Sequence, residues 1–82
     1  MTDIPRLTLY LRHGCHLCEA MLAQLQPYQD ELGFELETVD IDDDPALEAA
    51  YGELVPVLKL GESEICHYFL EVSKLQQYLS RD

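Results

Sequence analysis

Two cysteines, spaced as Cys15-His16-Leu17-Cys18, are the residues of this chain best suited to chemistry. A thiolate is both the nucleophile of disulfide exchange and a soft metal ligand, so a Cys-x-x-Cys pair serves redox exchange or metal binding. Gly14 separates the pair from a preceding run in strand period, and a run in helical period follows at once. That order puts Cys15 at a helix N-terminus, where unpaired N–H groups and the positive end of the helix dipole favour an anion. Cys15 is therefore expected to ionise more readily than a free thiol, whose pKa is about 8.5. Cys18 falls one helical turn further in, close enough to attack a mixed disulfide formed on Cys15. The redox expectation follows: Cys15 attacks a disulfide, Cys18 releases the reduced product, and two electrons move.

Other residues near the pair have two readings each. His13 and His16 stabilise the thiolate if protonated, or are exposed loop imidazoles with little effect. Arg12 is a permanent cation beside the pair, or a solvated charge at a strand end. Cys66 is read as a small buried apolar residue on a late strand. A zinc site built from Cys15, Cys18, Cys66 and a histidine is disfavoured, because adjacent residues such as Cys66 and His67 point apart on a strand. No metal site is expected. Asp40, Asp42 and Asp44 mimic the opening of a calcium loop, but Pro45 stands where glycine is needed and Tyr51 where glutamate is needed.

The elements that must position these residues can be read from periodicity. Leu7, Leu9 and Leu11 alternate with Thr8 and Tyr10, which predicts a first strand over 6–12 with both faces covered. Cys18, Met21, Leu22, Leu25, Tyr28 and Leu32 recur at helical spacing, and Gly33 is a C-terminal stop. Pro27 inside that run is expected to kink or divide the helix. Phe34 to Ile41 reads as a second strand. Asp44-Pro45 opens a short helix with Leu47, Ala50 and Tyr51 as its apolar face, ended by Gly52. Leu54 to Leu60 reads as a third strand interrupted by Pro56, and Glu64 to His67 as a fourth, returning antiparallel after Gly61. Phe69, Val72, Leu75, Tyr78 and Leu79 mark a final amphipathic helix. The order is β-α-β-α-β-β-α, an α/β class with a mixed four-stranded sheet, the first two strands parallel across a helical crossover.

At this point the chain resembles glutaredoxins, in particular the small bacterial glutaredoxin-like proteins of the thioredoxin fold. The likeness is carried by Gly14-Cys15-His16-Leu17-Cys18 after Leu9-Tyr10-Leu11, by Val39-Asp40-Ile41-Asp42 with Asp44-Pro45 following, and by Tyr51-Gly52 leading to Val55-Pro56-Val57-Leu58. It runs from about Leu7 to Leu79. The resemblance implies a cis Val55–Pro56 bond, with Pro56 facing the cysteine pair and the Val55 backbone pairing with an incoming peptide or thiol. It also puts Arg12 near the place where glutaredoxins keep a basic residue, and Cys66 across the groove from Cys15 as a third thiol. His16, although His16-Leu17 matches neither the Pro-Tyr of glutaredoxins nor the Gly-Pro of thioredoxins, is counted with Arg12, Val55 and Pro56 as a candidate substrate-binding residue. Glutathione is the reductant that the family implies. Glutaredoxins hold it with a Gly-Gly pair and an Asp after the fourth strand, where this chain carries Cys66-His67 and Leu70.

Composition bounds what remains. Eighty-two residues form one domain, 1–82, and 48% apolar with 26% charged residues describe a globular chain. Five Lys plus Arg against sixteen Asp plus Glu leave a net charge of −11, which repels nucleic acid and anionic membrane surfaces. No apolar run approaches the roughly 20 residues of a membrane span, and the first residues lack a signal-peptide pattern. A cytoplasmic monomer acting on protein or small-molecule disulfides, with no bound cofactor, is the expectation. Its alternative is a thioredoxin-fold binding module that has lost turnover.

Overall fold

In the computed structural model, which describes residues 4–79, the first element is strand β1 (Arg6–Leu11). Leu7 and Leu9 are fully buried while Thr8 and Tyr10 are half-buried, so both faces of this strand are covered. β1 pairs in parallel with β2 (Glu35–Asp40) and antiparallel with β3 (Val57–Leu60), and β3 pairs antiparallel with β4 (Ser63–His67). The four-stranded sheet has the order β2-β1-β3-β4. The helices are α1 (His16–Leu32), α2 (Pro45–Tyr51) and α3 (Val72–Leu79).

Side-chain alternation assigns the helices to the two faces of the sheet. Leu7, Leu9 and Leu58 meet Met21 and Leu25 of α1 and Leu75 of α3 in the main core, joined by Phe34, Ile65 and Cys66. On the opposite face Tyr10 stacks on Tyr51 of α2, their ring centroids 4.6 Å apart. A smaller buried cluster of Cys18, Ile41 and Val55 lies beside it, with Tyr10, Cys15, Leu47 and Tyr51 packed on its edge.

Several elements differ in extent from their sequence patterns, each for a local reason. α1 is a single helix of 17 residues, not divided at Pro27. Both Pro27 and Ala23, whose carbonyl loses its usual partner, are exposed, so the missing bond falls on the solvent side of the helix and not in the core. β2 stops at Asp40 because its side chain accepts the Asp42 N–H at 2.9 Å and turns Ile41 into one turn of 3₁₀ helix. The short helix starts as read, with Asp44 accepting from the Ala46 N–H at 2.9 Å, but Ala50 is exposed and only Leu47 and Tyr51 pack inward. β3 begins after Pro56, since the Leu54 and Val55 N–H groups both donate to the Tyr51 carbonyl. A β-bulge opposite Leu58 and Lys59 places Ile65 and Cys66 in the same core although they are adjacent in sequence. Phe69 precedes α3 and is 66% exposed, because Tyr68, with φ of 64°, redirects the chain before the helix starts.

Candidate functional site

Gly14 has φ of 70°, a left-handed conformation that turns the chain from β1 into α1 without a Cβ penalty. Cys15 follows in extended conformation as the N-cap of α1, its carbonyl accepting the first helical bond from the Glu19 N–H at 3.1 Å. Its sulfur takes the place of the usual capping oxygen and accepts the Cys18 N–H at 3.1 Å. Cys15 and Cys18 are joined as a disulfide with Cα atoms 5.2 Å apart. Their environments differ: Cys15 is half-buried, and Cys18 is only 2% exposed. Of the two bonded residues, Cys15 is thus the one nearer solvent.

The segment before β3 forms the neighbouring wall. The Val55–Pro56 peptide is cis, Val55 packs in the cluster that holds both cysteines, and Pro56 is fully buried. The Val55 N–H donates to the Tyr51 carbonyl at 3.1 Å, and the Pro56 carbonyl accepts from the Tyr68 N–H at 3.0 Å. The wall is therefore tied on one side to α2 and on the other to the turn after β4.

Arg12 braces the same region. One end of its guanidinium donates to the Gly52 carbonyl at 3.0 Å and the other to Asp42 at 2.9 Å, with Glu48 at 4.0 Å. It thereby links the end of β1 to both ends of the segment that carries α2. His16 is 99% exposed with Glu19 at 4.0 Å, and His13 is 97% exposed with Asp40 at 3.8 Å. A shallow cleft of 380 Å³ opens beside the disulfide, lined by Cys18, Glu19 and Leu22 on the helix side and by Arg12, His13 and Gly14 on the other.

Cys66 lies elsewhere. It belongs to the main core, not to the cluster around Cys15 and Cys18, and burial pushes its thiol above the ordinary value of 9.0. Among the described residues no three His, Cys, Asp or Glu side chains converge to hold a metal ion. No helix among them is long and apolar enough to cross a membrane.

Two residues of the site carried no signal as such in the sequence. Tyr51, read only as part of a helix face, stacks on Tyr10, accepts both N–H groups ahead of Pro56, and receives the Lys59 ammonium on its hydroxyl at 3.1 Å. That hydrogen bond raises the pKa of Lys59. Tyr68 reaches from the turn after β4 to donate its hydroxyl to the Glu53 carbonyl at 2.8 Å. Neither role has a local pattern, since each is a contact between distant segments.

The sequence matches the family described as Glutaredoxin-like domain (DUF836) over residues 6–80. Among curated relatives, uncharacterized proteins of Mycobacterium tuberculosis and Mycobacterium bovis are 30% identical over 82 aligned positions, covering 94% of this chain and 84% of theirs. A protein of Nitrosomonas europaea solved by NMR is 43% identical with a TM-score of 0.86, covering 98% of this chain and 96% of its own. A protein from X. campestris solved by X-ray is 37% identical with a TM-score of 0.72, covering 89% of this chain and 93% of its own. Thioredoxin 1 of Thermosipho africanus, at 20% identity and a TM-score of 0.62 over 90% of this chain and 93% of its own, shares the fold. With a mixed sheet flanked by three helices and a Cys-x-x-Cys disulfide capping the first of them, the chain is a thioredoxin-fold protein of the glutaredoxin-like domain family, with a redox role in general terms.

Proposed function

We propose that the protein is a dithiol–disulfide oxidoreductase in which Cys15 is the attacking sulfur and Cys18 the resolving one. One observation carries this reading: the half-buried Cys15 sulfur caps α1 and accepts the Cys18 N–H, with Cys18 bonded to it from below. In the reduced protein the same N–H and the helix N-terminus stabilise a thiolate on Cys15. Cys18, at 2% exposure, is shielded from outside disulfides but not from Cys15.

The reaction proceeds in two exchanges. The Cys15 thiolate attacks one sulfur of a disulfide, forming a mixed disulfide and expelling the other sulfur as a thiolate that takes up a proton. Cys18 then loses its proton and attacks the Cys15 sulfur, which forms the internal disulfide and expels the second thiol. Two electrons pass from the protein to the substrate, and an external dithiol or thiol pair returns them by the reverse steps. Val55 and Pro56 form the wall against which the visiting sulfur lies, Arg12 holds the β1 end in place beside it, and His16 stands at the rim. A pair that must be re-reduced fits a reducing compartment such as the cytoplasm.

On a Cys66→Ala background, the reduced protein carrying Cys18→Ser should trap a stable one-to-one mixed disulfide with bis(2-hydroxyethyl) disulfide, read by intact mass. Cys15→Ser should trap none on the same timescale. Equal trapping by both variants, or a wild-type pair that excess dithiothreitol fails to open, would overturn the assignment.

A further inference from the structure

The dithiol reaction leaves open which disulfides the site accepts, and the distribution of charge around it answers that. Sixteen acidic against five basic residues put the whole molecule at −11. Among the described residues the Lys and Arg side chains are Arg6, Arg12, Lys59 and Lys74, and every one is engaged. Arg6 meets Glu35 at 3.2 Å, Lys74 meets Glu71 at 3.5 Å, and Lys59 meets the Tyr51 hydroxyl at 3.1 Å. Arg12 is the one of the four that lines the cleft beside the disulfide, and its guanidinium is divided between Asp42 and the Gly52 carbonyl. The histidines that flank Cys15 each stand within 4.0 Å of a carboxylate, Asp40 or Glu19.

Glu19 is the acidic group closest in the chain to the reacting pair. Its side chain is 79% exposed, it lines the cleft with Cys18, and its N–H bonds the Cys15 carbonyl, which fixes it one turn above the attacking sulfur. Asp40 and Asp42 stand on the Arg12 side, and exposed Glu53 lies two residues before Val55. An anionic substrate such as glutathione disulfide, with two carboxylates on each half, meets this rim with no uncommitted Lys or Arg among the described residues to receive it. A cationic substrate meets the Glu19 carboxylate in the cleft lining, with Arg12 and His13 on the other side already paired to Asp42 and Asp40.

Resting on the dithiol reading above, we propose that this site selects disulfides flanked by cationic or neutral groups and discriminates against anionic ones, glutathione disulfide included. The Glu19 carboxylate is the principal local determinant. The chemistry is unchanged: the protein dithiol is oxidised to the Cys15–Cys18 disulfide, one substrate disulfide is reduced to two thiols, and two protons pass to the products. Charge acts on the encounter and on the mixed disulfide, where the substrate's flanking group is held beside the rim.

The test compares oxidation rates of the reduced protein by cystamine (a dication), bis(2-hydroxyethyl) disulfide (neutral), 3,3′-dithiodipropionate (a dianion) and oxidised glutathione. Each rate is divided by that of reduced dithiothreitol with the same reagent, which removes the intrinsic reactivity of the disulfide. At low ionic strength the normalised cystamine rate should exceed the dithiodipropionate rate by about tenfold or more, and the gap should close to within about twofold near 1 M NaCl. Oxidised glutathione should fall with the dianion. Glu19→Lys should narrow the low-salt gap, read as the ratio of the cystamine to the dithiodipropionate rate so that any change in the reactivity of the thiolate itself cancels, by at least about threefold. A low-salt ratio equal to that of dithiothreitol, a preference for the anions, or a gap untouched by Glu19→Lys would each overturn the proposal. Failure of the neutral reagent to oxidise the pair would instead sink the dithiol reading itself, so the two failures are told apart.

Discussion

The three cysteines of this protein show how position, not residue type, divides labour. Cys15 caps a helix and is half-buried, Cys18 is buried in the small cluster beside it, and Cys66 lies in the main core with Leu58, Ile65 and Leu75. Burial favours the neutral thiol of Cys66 and so raises its pKa above 9.0. Below that pH the thiol is neutral in folded and unfolded chains alike, and its contribution to stability is fully present. Above it the unfolded chain ionises first, so stability falls as pH rises toward the raised native value. In the oxidised protein Cys66 is the remaining free thiol. Urea unfolding of the oxidised protein at pH 8 and pH 10 should therefore show a loss that Cys66→Ala reduces, by at most about 1.4 kcal/mol per pH unit. Lys59, raised by its bond to Tyr51, loses its contribution above 10.5 and so acts at still higher pH.

At the scale of elements, α1 does the positioning and carries a defect within it. Its N-terminus presents the disulfide, and its buried stripe of Cys18, Met21 and Leu25 fixes that terminus to the sheet. Pro27 stands on its exposed side, where it removes one backbone bond and contributes nothing to the core. Pro27→Ala should stabilise the protein by about 1–3 kcal/mol in chemical unfolding, the scale of a helix-interior proline, and leave the rate of disulfide exchange unchanged. α2 acts differently, as a short brace clamped by Arg12 and by the Tyr10–Tyr51 stack. Arg12→Ala removes a partly exposed ion pair and a charge-assisted bond to a backbone carbonyl, for an expected loss of about 1–2 kcal/mol. A matching fall in melting temperature with Arg12→Lys rescuing only part of it would mark the forked geometry, which a single ammonium cannot reproduce.

The whole molecule folds against its own charge. A net −11 on 82 residues is repelled more strongly in the native state than in the expanded chain, so screening should help the fold. Adding about 0.5 M NaCl should raise the melting temperature by several degrees, since about 1 kcal/mol corresponds to 4–8 °C in a domain of this size. A melting temperature that is flat or falls with salt would show that the local pairs of Arg6, Arg12 and Lys74 outweigh the global repulsion. The same field reaches the disulfide, so stability and substrate choice answer to salt in opposite directions.

Much of the site is legible in the sequence. A strand, a glycine, a Cys-x-x-Cys and a helix occupy 6–32 without interruption, and the position of Cys15 at the helix start follows from local hydrogen-bonding rules. The order of elements was equally readable, because strand and helix periods are properties of neighbouring residues. What sequence left open was decided by contacts between segments far apart in the chain. Whether Cys66 faced the cysteine pair or the core depended on a bulge against β3, which shifts the alternation of β4 and is invisible in a period of two. Tyr51 and Arg12 became braces only once α2 was laid over β1, and Phe69 left its helix because Tyr68 was drawn to Pro56. Local pattern is set by backbone geometry that each residue carries with it; packing partners are chosen by the closed shape of the whole chain, which no short window of sequence contains.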